Sequence, residues 1–238
     1  MDDLFSTHAA TPDPVDRTIR DRKLTRAHIE QAQSASPAHL IDCDLEEADL
    51  SGLDLTGWTF ERCQLRRTDL TGATLERTRW TACRGAFADF TGADLREARF
   101  LSSDFNNAAL RRTRLFAAHV ERCKLTGADL SDASTLDMRV VETLLINARL
   151  PGFSFHKQHL TAIDFGQADL RKCDFRGTSF DGCSLRDAML DGCRFDGADL
   201  RGADLGGLRL IDARLFRGAT ISRDQAGQLL SELGLNVR

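Results

Sequence analysis

The chain has 238 residues, of which 42% are apolar and 29% charged, so it can bury a real core and is neither disordered nor membrane-embedded. Its 36 acidic and 32 basic residues leave a net charge of −4, too balanced for strong attraction to nucleic acid. The length suits one elongated domain or two small ones, and 14 phenylalanines against no tyrosine point to internal repetition. Residues 1–16, MDDLFSTHAATPDPVD, are acidic, contain two prolines and lack the basic start and apolar stretch of a secretory signal. They read as a flexible tail on a cytoplasmic protein with no membrane span. Residues 17–37 read as an irregular first coil or N-terminal cap, in which Ile19, Leu24 and Ile29 recur at fifths, one place out of phase with Leu40. The slip falls at Ser-Ala-Ser-Pro, 34–37, where a turn is easy.

From residue 38 to 220 a period of five governs the chain. Of the 36 positions taken every fifth residue from Leu40 to Leu215, 34 are Leu, Phe, Val or Trp, and only Gly85 and Thr135 depart. Neither a helix, at 3.6 residues per turn, nor a strand, at two, sends such a set to one side. A coil of four short sides with a corner after each does, closing after 20 residues and pairing with the next coil at about 4.8 Å. The residue two places before each central one should also turn inward, where space is short; Ala48, Thr68, Ala73, Thr78, Ala88, Ala93, Ala98, Ser103 and Ala108 are accordingly small. All seven cysteines (43, 63, 83, 123, 173, 183 and 193) occupy that second inward position. This spacing argues for small buried groups, not for a disulfide framework or a metal site. The expected fold is all-β, a quadrilateral parallel β-helix with a short C-terminal α-helix.

The repeats themselves, ADLSG at 48–52, TDLTG at 68–72, ADFTG at 88–92 and ADLRGADLGG at 198–207, resemble the pentapeptide repeat family, which implies a right-handed helix of this kind. QAGQLLSELGLNV at 225–237 is similar to the C-terminal helix and tail through which the members that protect type II DNA topoisomerases from quinolones or peptide toxins form dimers. IRDRKLTRAHIEQ at 19–31 resembles their first coil, and DASTLDMRVVE at 132–142 is a weaker likeness. The resemblance implies a non-catalytic partial DNA mimic that docks on DNA gyrase. Many of those members carry projecting loops; here the phase persists, and only 136–164, with Phe153, Gln158 and Ile163 at small positions, could conceal an insertion.

Residues 221–238 read as a helix and dimerisation tail, with Ser222 as N-cap, Leu229, Leu230 and Leu233 as one apolar stripe, and Gly234 as the stop. That stripe is the expected homodimer interface, the alternative being a cap within one monomer, and either covers an end where unpaired strands would otherwise invite aggregation.

Charge is uneven along the rod. Residues 38–61 carry seven acids and no Lys or Arg, while 62–124 carry 13 bases against seven acids, a polarised arrangement. Asp49, Asp69 and Asp89 should stack into an acidic strip for partner binding, flanked by Ser51-Gly52, Thr71-Gly72 and Thr91-Gly92; Arg79, Arg99 and Arg139, with His119 among them, should form a basic ladder on the opposite side. The same aspartates equally serve the corners through local hydrogen bonds. Val141, Leu144 and Ile146 fall at outward positions, either as a contact patch or covered by residues 151–158, and His156 and His159 read as an exposed turn without a metal. No phosphate loop, zinc set or nucleophile elbow appears, so neither an enzyme nor a cofactor is expected, and no direct nucleic-acid contact. The alternative to the topoisomerase reading is an interaction scaffold or secreted effector with an unknown partner.

Overall fold

A computed structural model describes residues 17–33, 37–207, 214–232 and 234–237. The chain winds into a parallel β-solenoid of about nine turns, followed by a short helix. β1 (Thr18–Arg20), β2 (His39–Ile41), β3 (Thr59–Glu61), β4 (Arg79–Thr81), β5 (Arg99–Leu101), β6 (His119–Glu121) and β7 (Arg139–Val141) form one parallel sheet. β8 (His159–Thr161), β9 (Ser179–Ser184) and β10 (Asp199–Asp204) form a second on the same wall. α1 (Arg26–Ala32) closes the first coil and α2 (Arg223–Glu232) the last. The other three walls pair through single bridges such as Asp44↔Gln64, Asp49↔Asp69 and Asp54↔Thr74, 20 residues apart.

Each corner is a tight turn. The N–H of the second inward residue donates to the central carbonyl three places back, as from Ala48 to Leu45 at 3.0 Å. The residue between them takes positive φ, 58° at Glu47 and 66° at Gly52. Left-handed backbone is strained for residues with a Cβ, and the corner offsets this by sending that N–H to the next coil, as from Glu47 to the Arg66 carbonyl at 2.9 Å. The centre of the tube is filled by ladders of like side chains. Phe60, Trp80 and Phe100 stack nearly parallel, the first pair with ring centroids 3.9 Å apart, and Phe155, Phe175 and Phe195 repeat the pattern. Gly85 breaks the five-residue rule because the Phe105 ring occupies its place: a Cβ there would lie 2.2 Å from that ring.

All seven cysteines are buried and free. Their shared position has a chemical reason. Cys83 reaches the Phe60 carbonyl at 3.3 Å and Cys173 the Leu150 carbonyl at 3.2 Å, each 23 residues back; Thr68 and Thr178 reach Leu45 and Phe155 in the same way. Where it is Cys or Thr, the small inward residue is thus a plug that also donates to an interior carbonyl. Burial pushes the Cys123 thiol up to about 11.

Both ends slip by one residue. Ile19 pairs with Leu40, 21 places on, as the early phase shift requires. The regular phase expected to run to Leu215 does not: Asp199 pairs with Thr220, and Phe216 stacks on Phe195 at 4.8 Å while Leu215 is half-buried. Leu210 lies outside the described residues.

No insertion interrupts 136–164. What happens there is a parting of two coils. In every neighbouring coil the first-wall strand donates to the coil below, as Arg79 does to Trp58, Arg139 to Ala118 and Ser179 to Gln158. Among the described residues no such bond joins His159 to Met138 or Ser154 to Ala133, and the bridge series runs Arg114↔Ser134 and Ser154↔Asp174 with no pair between. The second and third walls stay closed through Leu144↔Asp164 and Arg149↔Asp169. The solenoid therefore opens along one corner, between 133–140 and 153–160. Met138 and Gln158, both long, hold the small inward position on these two coils, beside Thr135, too short to fill its central one. Trp58 and Ile163 show that a single bulky occupant is tolerated, since Thr59 and Asp164 keep their bonds.

Candidate interaction surface

Outward side chains come from three positions per corner, and the one just before each central residue is most often Asp. Its Oδ1 accepts the N–H two residues on: Ser51 to Asp49 at 2.9 Å, Thr71 to Asp69 and Thr91 to Asp89 at 2.8 Å. The same bond recurs at Asp44, Asp94, Asp129, Asp169 and Asp199. Corner chemistry therefore accounts for the residue type, and recognition can use only the carboxylates left without a cation.

On the third wall Asp49, Asp69 and Asp89 do stack in register. Arg26 of α1 bonds Asp49 at 3.1 Å and the Ser51 carbonyl at 3.0 Å, so the first step of the strip is neutralised. The Ser51 hydroxyl and N–H, with Arg26, hold the Asp49 carboxyl below the usual range. Asp69 and Asp89 have no ion pair among the described residues. Nothing lies within 4 Å of where a Cβ would stand on Gly52, Gly72 or Gly92, so this wall is flat and open beside the carboxylates. Asp54, one corner away, is also exposed and without an ion pair, a carboxylate the strip reading missed because it belongs to a different ladder. Above Asp89 the ladder continues as Ala109 and Asp129, the latter flanked by Arg111 and Arg149.

The expected polarity along the rod is largely cancelled at short range. Residues 20 apart are neighbours, so Arg62 meets Asp42 at 2.6 Å, Arg66 meets Glu46 at 3.2 Å and Arg67 meets Glu47 at 3.6 Å. The block of acids and the block of bases pair across one coil step, and Arg62 holds the Asp42 carboxyl below its ordinary range.

On the first wall Arg79, Arg99, His119 and Arg139 stack as expected. His119 contacts Glu121 at 3.1 Å, whereas the three arginines are exposed and make no ion pair among the described residues. Val141 and Ile146 are half-buried and Leu144 exposed, on two walls, so they do not make one patch. His156 is exposed, and His159 Nδ1 meets Ser179 Oγ at 2.7 Å.

At the C-terminal end the capping box is reciprocal: Ser222 Oγ accepts the Gln225 N–H at 3.1 Å, and Gln225 Oε1 accepts the Ser222 N–H at 2.7 Å. Gln225 Nε2 also donates to the Leu200 and Ala203 carbonyls, at 2.7 Å each, tying α2 onto the last coil. Leu229 packs on the rod at 7% exposure while Leu230 is 40% exposed. These two adjacent leucines are about 100° apart round a helix, so they do not form the single stripe read from the sequence. Leu233 lies outside the described residues. Leu230, Leu235 and Val237 remain exposed apolar groups at this end, and Gly234 stops the helix at φ 82°.

Three family profiles match the chain: "pentapeptide repeat region" over 36–110, "pentapeptide repeats (9 copies)" over 163–204, and "pentapeptide repeats (8 copies)" over 102–132 and 141–177. No curated protein matches it. Among solved structures, trypsin-treated QnrB1, a plasmid-mediated fluoroquinolone resistance protein, is 24% identical with TM-score 0.72 over 83% of this chain and 99% of its own. HetL, involved in heterocyst differentiation regulation in the cyanobacterium Nostoc, is 23% identical with TM-score 0.50 over 82% and 94%. With the five-residue register, the four-walled coil and these matches together, the chain belongs to the pentapeptide repeat family.

Proposed function

We propose that this protein is a non-catalytic docking rod that acts in the cytoplasm on a type II DNA topoisomerase, DNA gyrase, and protects it from quinolone or peptide-toxin poisoning. Asp69 and Asp89 carry the reading: two stacked, cation-free carboxylates on a wall cleared of bulk by Gly72 and Gly92, a shape that suits a flat basic DNA-binding surface. The likeness to a fluoroquinolone resistance protein supports a role in protection from quinolones. Mimicry is local. Residues 38–220 carry 28 acids and 25 bases, whereas roughly 45 Å of duplex carries roughly 26 negative charges. A homodimer through this end, with the exposed Leu230, Leu235 and Val237 in the contact and Leu229 kept on its own rod, would place two rods end to end and cover those apolar groups.

The test is a gyrase supercoiling assay with and without a quinolone. Protection by the native protein, and its loss on changing Asp69 and Asp89 to Lys, supports the reading. Neither inhibition nor protection supports the second reading, an interaction scaffold with a different partner. The near-balance of wall charge and the match to HetL favour that alternative.

A further inference from the structure

We infer that the groove beside the parted coils is a second docking site, one that takes an extended acidic polypeptide segment of a partner. It lies on the first wall and its adjoining corner, opposite the Asp69 strip, and does not depend on the topoisomerase reading. Its volume is about 1110 Å³, and Arg79, Arg99, Arg139, Lys157 and His159 line it together with Phe116.

Three observations carry this. Like charges directly opposite one another on neighbouring strands are unfavourable, yet Arg79 and Arg99 are register partners and neither has a carboxylate. Arg62, Arg96, Arg171, Arg176 and Arg186, by contrast, each meet a carboxylate. Second, the parted coils leave the His159 N–H and the Met138 carbonyl without the bond that other coils make, and both residues line the groove, where they can bond a peptide backbone. Third, the groove offers apolar contact: Phe116 is 41% exposed, and half-buried Val141 also lines it.

Charge selects the occupant. Arg77, itself bonded to Glu76, adds a cation to the rim, and Glu97 and Asp137 add two anions. Those two acids interrupt the positive lining, and Phe116 is the only Phe or Trp along it, so a polypeptide with spaced carboxylates fits better than a continuous phosphate backbone. From Arg79 to His159 is four coil steps, about 19 Å, which an extended peptide of about six residues spans at about 3.3 Å each.

The experiment uses the full chain, with fluorescein-labelled decaglutamate as probe and decalysine and oligothymidylate of similar length as comparisons, in fluorescence anisotropy at low salt. Decaglutamate should bind, and Arg79→Glu with Arg99→Glu should weaken it by about tenfold or more, a loss of about 1.4 kcal/mol. Arg84→Glu with Arg112→Glu, exposed arginines on other walls, should change it by less than about twofold. Bound decaglutamate should also slow amide exchange over residues 153–159. Equal weakening by both pairs, tighter binding of oligothymidylate, or no binding of decaglutamate to a protein whose far-UV circular dichroism confirms folding would overturn the assignment.

Discussion

Two stretches of the same wall and corner, 73–80 against 93–100 and 133–140 against 153–160, obey one sequence rule and end differently. In the first, Ala73, Thr78, Ala93 and Ala98 plug the small inward positions around Leu75, Leu95, Trp80 and Phe100, and every coil-to-coil bond forms. In the second, Met138, Phe153 and Gln158 hold those positions, Thr135 replaces a central leucine, and the bonds at 154 and 159 are missing. Central residues decide that the chain coils. The small residues two places earlier decide whether successive coils close.

Trp80→Ala should be the largest blow to the closed stretch, costing about 3–5 kcal/mol through the cavity it leaves between Phe60 and Phe100. Thr135→Ala at the parted corner should cost less than about 1 kcal/mol, since half-buried Thr135 fills little space. Urea denaturation of both variants measures the contrast, and equal losses would erase it. The last coil offers a third case, an edge sealed by a side chain. Gln225→Ala strips the Leu200 and Ala203 carbonyls of their donor and should cost about 1–3 kcal/mol by the same method.

Repair should also work. Thr135→Leu with Gln158→Thr supplies a central leucine and a small donor like Thr178, which reaches its carbonyl at 2.6 Å. We expect a gain of about 1 kcal/mol and a Tm rise of about 2–4 °C by calorimetry; a fall would mean that Thr135 and Gln158 do not hold the corner open. The smallest effect concerns Asp174, just beyond the parting. Hydrogen bonds from Arg176, with Arg194 beside it, hold its carboxyl down at about 2. Because the folded value is depressed, this contribution is full above about pH 4 and is lost as pH falls through about 2. Asp174→Asn should therefore flatten the acid limb of Tm against pH between those values; an unchanged limb would remove this pair from the account.

The tube was legible because its signal repeats: Leu40 to Leu205 recur at fifths, and the cysteines fall in the one position with room for them and a carbonyl to meet. Stacking of Asp49 on Asp69, and of Arg79 on Arg99, followed from the 20-residue turn. Neutralisation was harder to foresee. That Arg26 reaches Asp49 depends on where α1 lies, and a helix inside the first coil leaves no trace in a five-residue pattern. The pairing of Asp42 with Arg62 was implicit in the 20-residue turn, but a tally along the chain separates acids from bases that lie one coil apart. The odd occupants of 136–164 were visible, yet a break in period and a parting of coils look alike in sequence, and only the backbone bonds tell them apart.

Hydrogen–deuterium exchange on the native protein, resolved to single amides, tests the central claim most directly. The account predicts rapid exchange at Ser154 and His159, with their counterparts Asp94, Arg99, Asp174 and Ser179 protected by orders of magnitude more. Uniform protection from 133 to 179 would show closed coils throughout and contradict it.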